Sequence, residues 1–208
     1  MVFRLFLVLV WLIPVFCRAE YTLDASPRSG AETMRGRIEL SGCSLWLNVA
    51  GIGRYEIVAT DDKDAPNGEA LKKMVDAQVI AKVRYTGAGR VQILSTEPEP
   101  APLSSVEWEM MRHVNRARIA NNRVPFRWSP ALMASARQHS ANQARSGRMY
   151  HGGTSGWSGE NVAVGQRDSE DVTRAWMNSA GHRANILNGR FTEIGVGAVG
   201  RYYTQQFR

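Results

Sequence analysis

The chain has 208 residues, 44% of them hydrophobic, and a formal net charge of +7. Its two cysteines, Cys17 and Cys43, exclude a small fold built on a disulfide framework, so stability has to come from a buried core. The charge is uneven: residues 20–100 carry 10 Lys+Arg against 12 Asp+Glu, while residues 101–208 carry 14 against 7, and all 14 are arginine.

The first element is a leader. Met1–Arg4 supplies one positive charge, and "LFLVLVWLIPVFC" (Leu5–Cys17) is an uncharged run of thirteen residues broken by Pro14. That is the length of a signal-peptide core and short of a bilayer span. Small residues at Cys17 and Ala19 place cleavage before Glu20, giving a signal peptide over 1–19, an extracytoplasmic (periplasmic or secreted) product and no transmembrane span after processing. Bulky Phe16 counts against acylation of Cys17. Cleavage leaves Cys43 alone, and it reads as a small buried apolar residue.

Residues 20–97 read as a small, mainly β unit. "RGRIEL" (Arg35–Leu40), "SLWLNVA" (Ser44–Ala50) and "YEIVAT" (Tyr55–Thr60) have strand lengths and strand patterning. "APNGEALKKMVD" predicts a short helix with Leu71, Met74 and Val75 on one side, and "AQVIAKVRY" and "RVQILST" follow as strands across "TGAG". Three strands, a helix and two strands is the element order of an OB-type barrel. Its slightly acidic balance and few aromatics (Trp46, Tyr55, Tyr85) argue against nucleic acid as a partner and for a packing or protein-contact role.

A proline-rich stretch, 98–105, holds Pro98, Pro100 and Pro102 and predicts an extended, solvated linker. Residues 106–208 then alternate helices with a terminal hairpin. Ser104 and Glu107 have capping-box spacing, and Val106, Met110, Val114 and Ala117 predict one apolar face. The next helix opens on Ser129-Pro130 and stops at Gly147. A third starts at Asp168/Ser169, with Glu170 and Asp171 suiting its dipole, and a short fourth is "GHRANIL". "TEIGVGAVGRYYTQQF" predicts two strands around a turn at Gly200, with Ile194, Val196 and Ala198 on one face.

Across this half four motifs stand in order: "VNRAR" in the first helix, His151 in "MYHGG", "GEN" at Gly159–Asn161, and "AWMNSAGHRANIL" leading to "TEIGVG" and "YYTQQF". Together they resemble the CAP superfamily (cysteine-rich secretory proteins, antigen 5 and plant pathogenesis-related proteins) in its cysteine-poor bacterial form. The resemblance spans about residues 103–207. It implies an α+β fold, an α–β–α sandwich, and a cleft lined by two histidines and two glutamates. Position by position, His151, Glu160 and His182 take three of those places. The fourth carboxylate is replaced within "WMNS", where Asn178 or Ser179 stands, so the tetrad is reduced to a triad.

Two imidazoles and one carboxylate are a conceivable three-ligand site for a divalent metal such as zinc, with a position left for water. On that reading His151, Glu160 and His182 are metal ligands and catalytic residues of a hydrolase. The three come from separate loops, however, and no nucleophile is placed by motif. The favoured expectation is a buried polar network in a non-enzymatic binding protein. Asn161, Trp157, Asn178 and Ser179 line its cleft. Its partner is a lipid, an anionic envelope polymer or a protein, met through the cleft or the basic surface, and the resemblance likewise implies lipid binding. His113 and His139 read as helix histidines that find backbone partners.

Overall fold

The computed structural model describes residues 30–87, 89–100, 102–153, 156 and 158–208. The leader and Trp157 lie outside the described residues. Strands β1 (Ala31–Ser41), β2 (Ser44–Val49), β3 (Gly53–Ile57), β4 (Gln78–Gly87) and β5 (Arg90–Pro98) form a closed barrel in the order β1-β2-β3-β5-β4. Strand β3 pairs with β5 in parallel, and the remaining pairs are antiparallel, with β1 against β4 closing the ring. Period-two alternation decides the inside: Ile38, Leu47, Tyr55, Val83, Val91 and Ile93 are buried in one cluster. Helix α1 (Gly68–Lys72) adds Leu71 to it and is started by the Asn67 side chain, which accepts from the Ala70 N–H at 2.9 Å.

Two expectations need correction here. Cys43 is exposed, because it sits in the β1–β2 turn beside Gly42, outside the pleat that fills the barrel. The proline-rich stretch is solvated only in part: Pro98, Pro100 and Pro102 are exposed, but Glu99 and Leu103 are buried and anchor it. Strand β5 runs to Pro98, paired opposite Val79; at the strand end a proline removes no interior ladder bond. Beyond it, buried Glu99 pairs with Arg35. The Gln78 amide then grips Leu103 twice, donating to its carbonyl at 2.6 Å and accepting from its N–H at 2.9 Å.

The C-terminal half is layered around a four-stranded sheet of order β6-β8-β9-β7, made of β6 (Arg127–Trp128), β7 (Gly159–Val164), β8 (Glu193–Val199) and β9 (Tyr202–Phe207). Helix α2 (Ser105–Ala120) begins with the predicted capping box: Ser104 Oγ accepts from the Glu107 N–H and Glu107 from the Ser104 N–H. Its buried face is wider than the predicted one: Met110 and Val114 are buried as expected, but the face takes in further residues. Val106 is exposed, while Glu107, Trp108, Met111, Asn115 and Arg118 face inward. The reading by apolar spacing skipped the polar members of that face, each of which is buried because it binds another segment. Asn115 brackets Phe126, accepting from its N–H at 2.7 Å and donating to its carbonyl at 3.0 Å.

Helix α3 (Pro130–Ser146) ends at Gly147 in the left-handed conformation (φ 66°). It lies directly on the backbone of β8: a Cβ on Gly195 would meet the Leu132 carbonyl carbon at 2.1 Å, and one on Gly197 that of Ala136 at 2.4 Å. The alternate residues Ile194 and Val196 point to the opposite face, into a core shared with Trp108, Met111 and Val114 of α2, Trp176 of α4 (Ser169–Asn178) and Ile186 of α5 (Ala180–Ile186). The sheet is therefore sandwiched between α3 and the α2/α4/α5 layer.

Barrel and sandwich meet at α2. Gly51, at φ +69° in the β2–β3 turn, presses on it so closely that a Cβ would lie 2.5 Å from Asn115 Cβ. Asn115 also donates to the Ala50 carbonyl at 3.0 Å, and the Arg37 guanidinium lies over the Trp108 ring, 4.6 Å from its centroid.

Candidate functional site

Strand β7 sets the centre. Its pairing puts Glu160 opposite Gln206 and Asn161 opposite Gln205, so successive side chains leave on opposite faces of the sheet. Glu160 turns toward α3, with its side chain only 2% exposed. One carboxylate oxygen, Oε1, accepts from His151 Nδ1 at 3.0 Å and from the Gly152 N–H at 2.8 Å. The other, Oε2, accepts from Gln206 Nε2 at 3.1 Å and lies 3.9 Å from His139 Nε2. A carboxylate only accepts, so His151 carries its proton on Nδ1. The His151 side chain is 63% exposed.

His139, buried on α3, donates from Nε2 to the Tyr150 carbonyl at 2.9 Å and meets the Tyr150 ring edge-on at 5.0 Å between centroids. Together, Glu160 and His139 hold successive residues of the loop after α3. Gly152 admits this closeness: a Cβ there would lie 3.2 Å from Glu160 Oε2 and 3.3 Å from the His139 ring.

On the other face, Asn161 donates to the His182 carbonyl at 3.2 Å and to Gln205 Oε1 at 3.1 Å. Asn185 donates to the Glu160 carbonyl at 3.2 Å and to Asn161 Oδ1 at 2.9 Å, tying α5 to β7. His182, in the first turn of α5, is half-buried; burial pulls its pKa below the ordinary histidine value, and repulsion from His151 adds to that. Asn178 is exposed at the end of α4, and Ser179 is the half-buried junction at which α4 ends and α5 begins.

Residues 111–207 match the model of the cysteine-rich secretory protein family, CAP. The C-terminal half of this chain is a CAP domain. Over 130 residues the chain is 35% identical to the uncharacterized protein YkwD of Bacillus subtilis (strain 168), covering 54% of this chain and 51% of that one. It is 45% identical over 49 residues to the uncharacterized membrane protein YlbC of the same organism, covering 24% of this chain and 14% of that one. The chain thus spans about half the length of the first of these curated relatives and less of the second. Among solved structures it is similar to an extracellular protein containing a SCP domain from Bacillus anthracis str. Ames, with a TM-score of 0.47, 17% identity and coverage of 82% of this chain and 87% of that one.

Of the residues expected in the CAP cleft, His151 and Glu160 are bonded to one another and His182 is near enough to His151 to feel its charge. The second imidazole beside Glu160 is that of His139, not His182. Sequence reasoning gave His139 its backbone partner but missed its place beside Glu160, and it missed Gln206, Gln205 and Asn185. The only signal for Gln206 was strand register, which needs the β7–β9 pairing to be known.

The donor set does not fit a three-ligand zinc site. Both Glu160 oxygens are already taken by hydrogen bonds, and among the described residues no three His, Cys, Asp or Glu side chains gather in a metal-holding group. No helix among the described residues is long and apolar enough to cross a membrane.

Proposed function

We propose that this chain is an exported, non-enzymatic binding protein whose CAP domain engages an anionic envelope partner at the mouth of the His151–Glu160 clasp. The observation that carries this is the saturation of Glu160: buried, with hydrogen bonds on both oxygens, it acts as the anchor of a loop rather than as a base poised for chemistry. Above the anchor the loop presents Arg148, Met149 and Tyr150 to solvent, and Arg183 stands exposed beside His182. Cations beside exposed apolar side chains suit an amphipathic or polymeric anion. The signal-peptide pattern read in the sequence over 1–19 supports export.

In the same reading the chain is organised as a barrel over 20–97, a connector over 98–105 and the CAP half over 106–208. The strand order and the parallel β3–β5 closure support an OB-type assignment for the barrel. Its seat on α2 supports a packing role.

The test is cosedimentation of the purified chain with anionic vesicles and with anionic wall polymers, at low and at high salt. Binding that weakens steeply with salt and is lost in Arg148→Gln/Arg183→Gln is expected. Salt-insensitive binding, or binding that survives the double substitution, overturns the reading. The rival reading is a hydrolase using His151, Glu160 and His182, in which Glu160 orients the His151 imidazole and is not itself a metal ligand; the His151–Glu160 contact is the observation that favours it. Zinc at one equivalent per chain, together with hydrolysis lost in His151→Ala, would establish it instead.

A further inference from the structure

The sheet of the CAP domain has two edges. Strand β7, with the clasp, is one; the two-residue strand β6 is the other, and it faces the barrel. Between β6, the end of α2 and the barrel wall formed by β1, β3 and β4 lies a cleft of about 1000 Å³, a volume at the upper end for small-molecule sites. Neither half makes it alone.

Its chemistry is divided. Met34 and Ile52 from the barrel face Ile119, Val124 and Phe126 from the sandwich, an apolar lining from both sides. Val124, 78% exposed, stands at the open side of the cleft. At the rim stand Arg123 and Arg127, both exposed, and neither forms an ion pair among the described residues. The other charges on the lining are engaged: Arg35 with Glu99, Glu193 with Arg208, and Glu32 with a partner of its own. Trp128 also lines the cleft. It is 6% exposed, and its indole N–H is buried with no acceptor among the described residues.

We infer that the cleft between the barrel and the CAP domain is a binding site for an amphipathic organic anion, its apolar body against Ile52, Ile119 and Val124 and its head group between Arg123 and Arg127. This site is separate from the clasp, so it stands or falls independently of the proposed function. The ligand class has two sources, a free amphiphile or the head and chain of a membrane lipid, and the test separates them.

The probe is 1-anilinonaphthalene-8-sulfonate, titrated into the full chain and followed by fluorescence. Saturable binding at one site per chain is expected. Monomeric dodecanoate should displace it, and dodecyltrimethylammonium, with the same chain and the opposite charge, should do so at least about tenfold more weakly. Arg123→Gln/Arg127→Gln should weaken probe and dodecanoate about tenfold or more. Val124→Asp, at an exposed position that spares the fold, should abolish both, and Arg145→Gln, in the last turn of α3 and outside the cleft lining, should change neither. Thermal melts of each variant must match the parent, which separates a lost site from a lost fold. Displacement by phosphatidylglycerol vesicles in addition to monomeric dodecanoate identifies lipid as a source; displacement by the monomer alone identifies a free amphiphile. Vesicle binding without competition by monomeric dodecanoate, equal competition by the cationic amphiphile, full affinity in Val124→Asp, or no saturable binding of either anion each overturn the site.

Discussion

His151 and Glu160 face each other across 3.0 Å, one exposed and the other buried. The asymmetry tells which partner the fold depends on. Glu160 is a charged group withdrawn from water, and its burial is tolerable because donors reach both its oxygens. His151 rests on it from outside, with most of its ring in solvent. The pair is a latch whose socket is internal.

Removing the socket should therefore hurt far more than removing the latch. In Glu160→Gln an amide replaces the carboxylate, and its NH₂ faces either the Gln206 donor or the His151 and Gly152 donors. A loss of about 1–3 kcal/mol in chemical unfolding is expected. His151→Ala removes a mostly solvated partner and should cost under about 1 kcal/mol. Hydrogen exchange at the Gly152 amide should accelerate in Glu160→Gln. Equal destabilisation by the two substitutions would refute the division of roles.

The elements legible in the sequence were those whose cause is local. Ser104 with Glu107, Asp168 before its acidic turn, and Gly147 at a helix end each act within a few residues, and each appears as expected. The barrel strands were legible because alternation records which side is buried. What stayed hidden depended on partners distant in the chain. His139 and Tyr150 are joined by the loop after α3, and that loop's path is set by Glu160. Arg118 and Asn115 were invisible as core residues because their partners are backbone carbonyls and, for Asn115, also a backbone N–H, groups found all along the chain. The anchors of the proline-rich connector stayed hidden for the same reason: nothing in its own composition discloses that Gln78 would hold Leu103.

Arg118 makes the largest of these hidden contributions. It is 1% exposed and has no carboxylate partner among the described residues. Its guanidinium donates to the carbonyls of Val124 (2.6 Å), Ile186 (2.5 Å), Asn188 (3.1 Å) and Phe191 (3.2 Å), and lies 3.6 Å from the Phe126 ring centroid. Burial, with some repulsion from Arg123, lowers its pKa to about 10, still charged at neutral pH. Lysine cannot reproduce a planar fork with five donors. Arg118→Lys should cost about 2 kcal/mol or more and Arg118→Ala about 3–5 kcal/mol, read as a shift in denaturant midpoint. A lysine variant with parent stability would show that charge alone suffices.

The glycines of β8 give a steric test. A methyl group on Gly195 would overlap the backbone of α3 at Leu132, which no side-chain rotation relieves. Gly195→Ala should destabilise by about 2–4 kcal/mol or prevent accumulation of folded protein. Gly181→Ala is the control, since nothing lies within 4 Å of its Cβ position. A parental melting temperature in Gly195→Ala would mean that α3 does not lie on β8 at this distance.

Acidity should loosen the α5 side of the site. His182 and His113 both have pKa values below the ordinary histidine value, each chiefly through burial. A lowered histidine stays neutral in the folded chain at a pH where it is already protonated in the unfolded one, so the unfolded state binds more protons as pH falls through about 6.5. Stability contributed by the two neutral rings is therefore complete above that value and is lost below it, until the folded-state pKa is reached. Denaturant midpoints should fall between neutral pH and mildly acidic pH, and His182→Asn should flatten part of that fall by removing one of the titrating rings. Because His151 repels the protonated form of His182, His151→Asn should also shallow the slope, by less than His182→Asn does. A slope unchanged by both substitutions would assign the acid sensitivity to His113 on α2 and remove His182 from the electrostatics of the clasp.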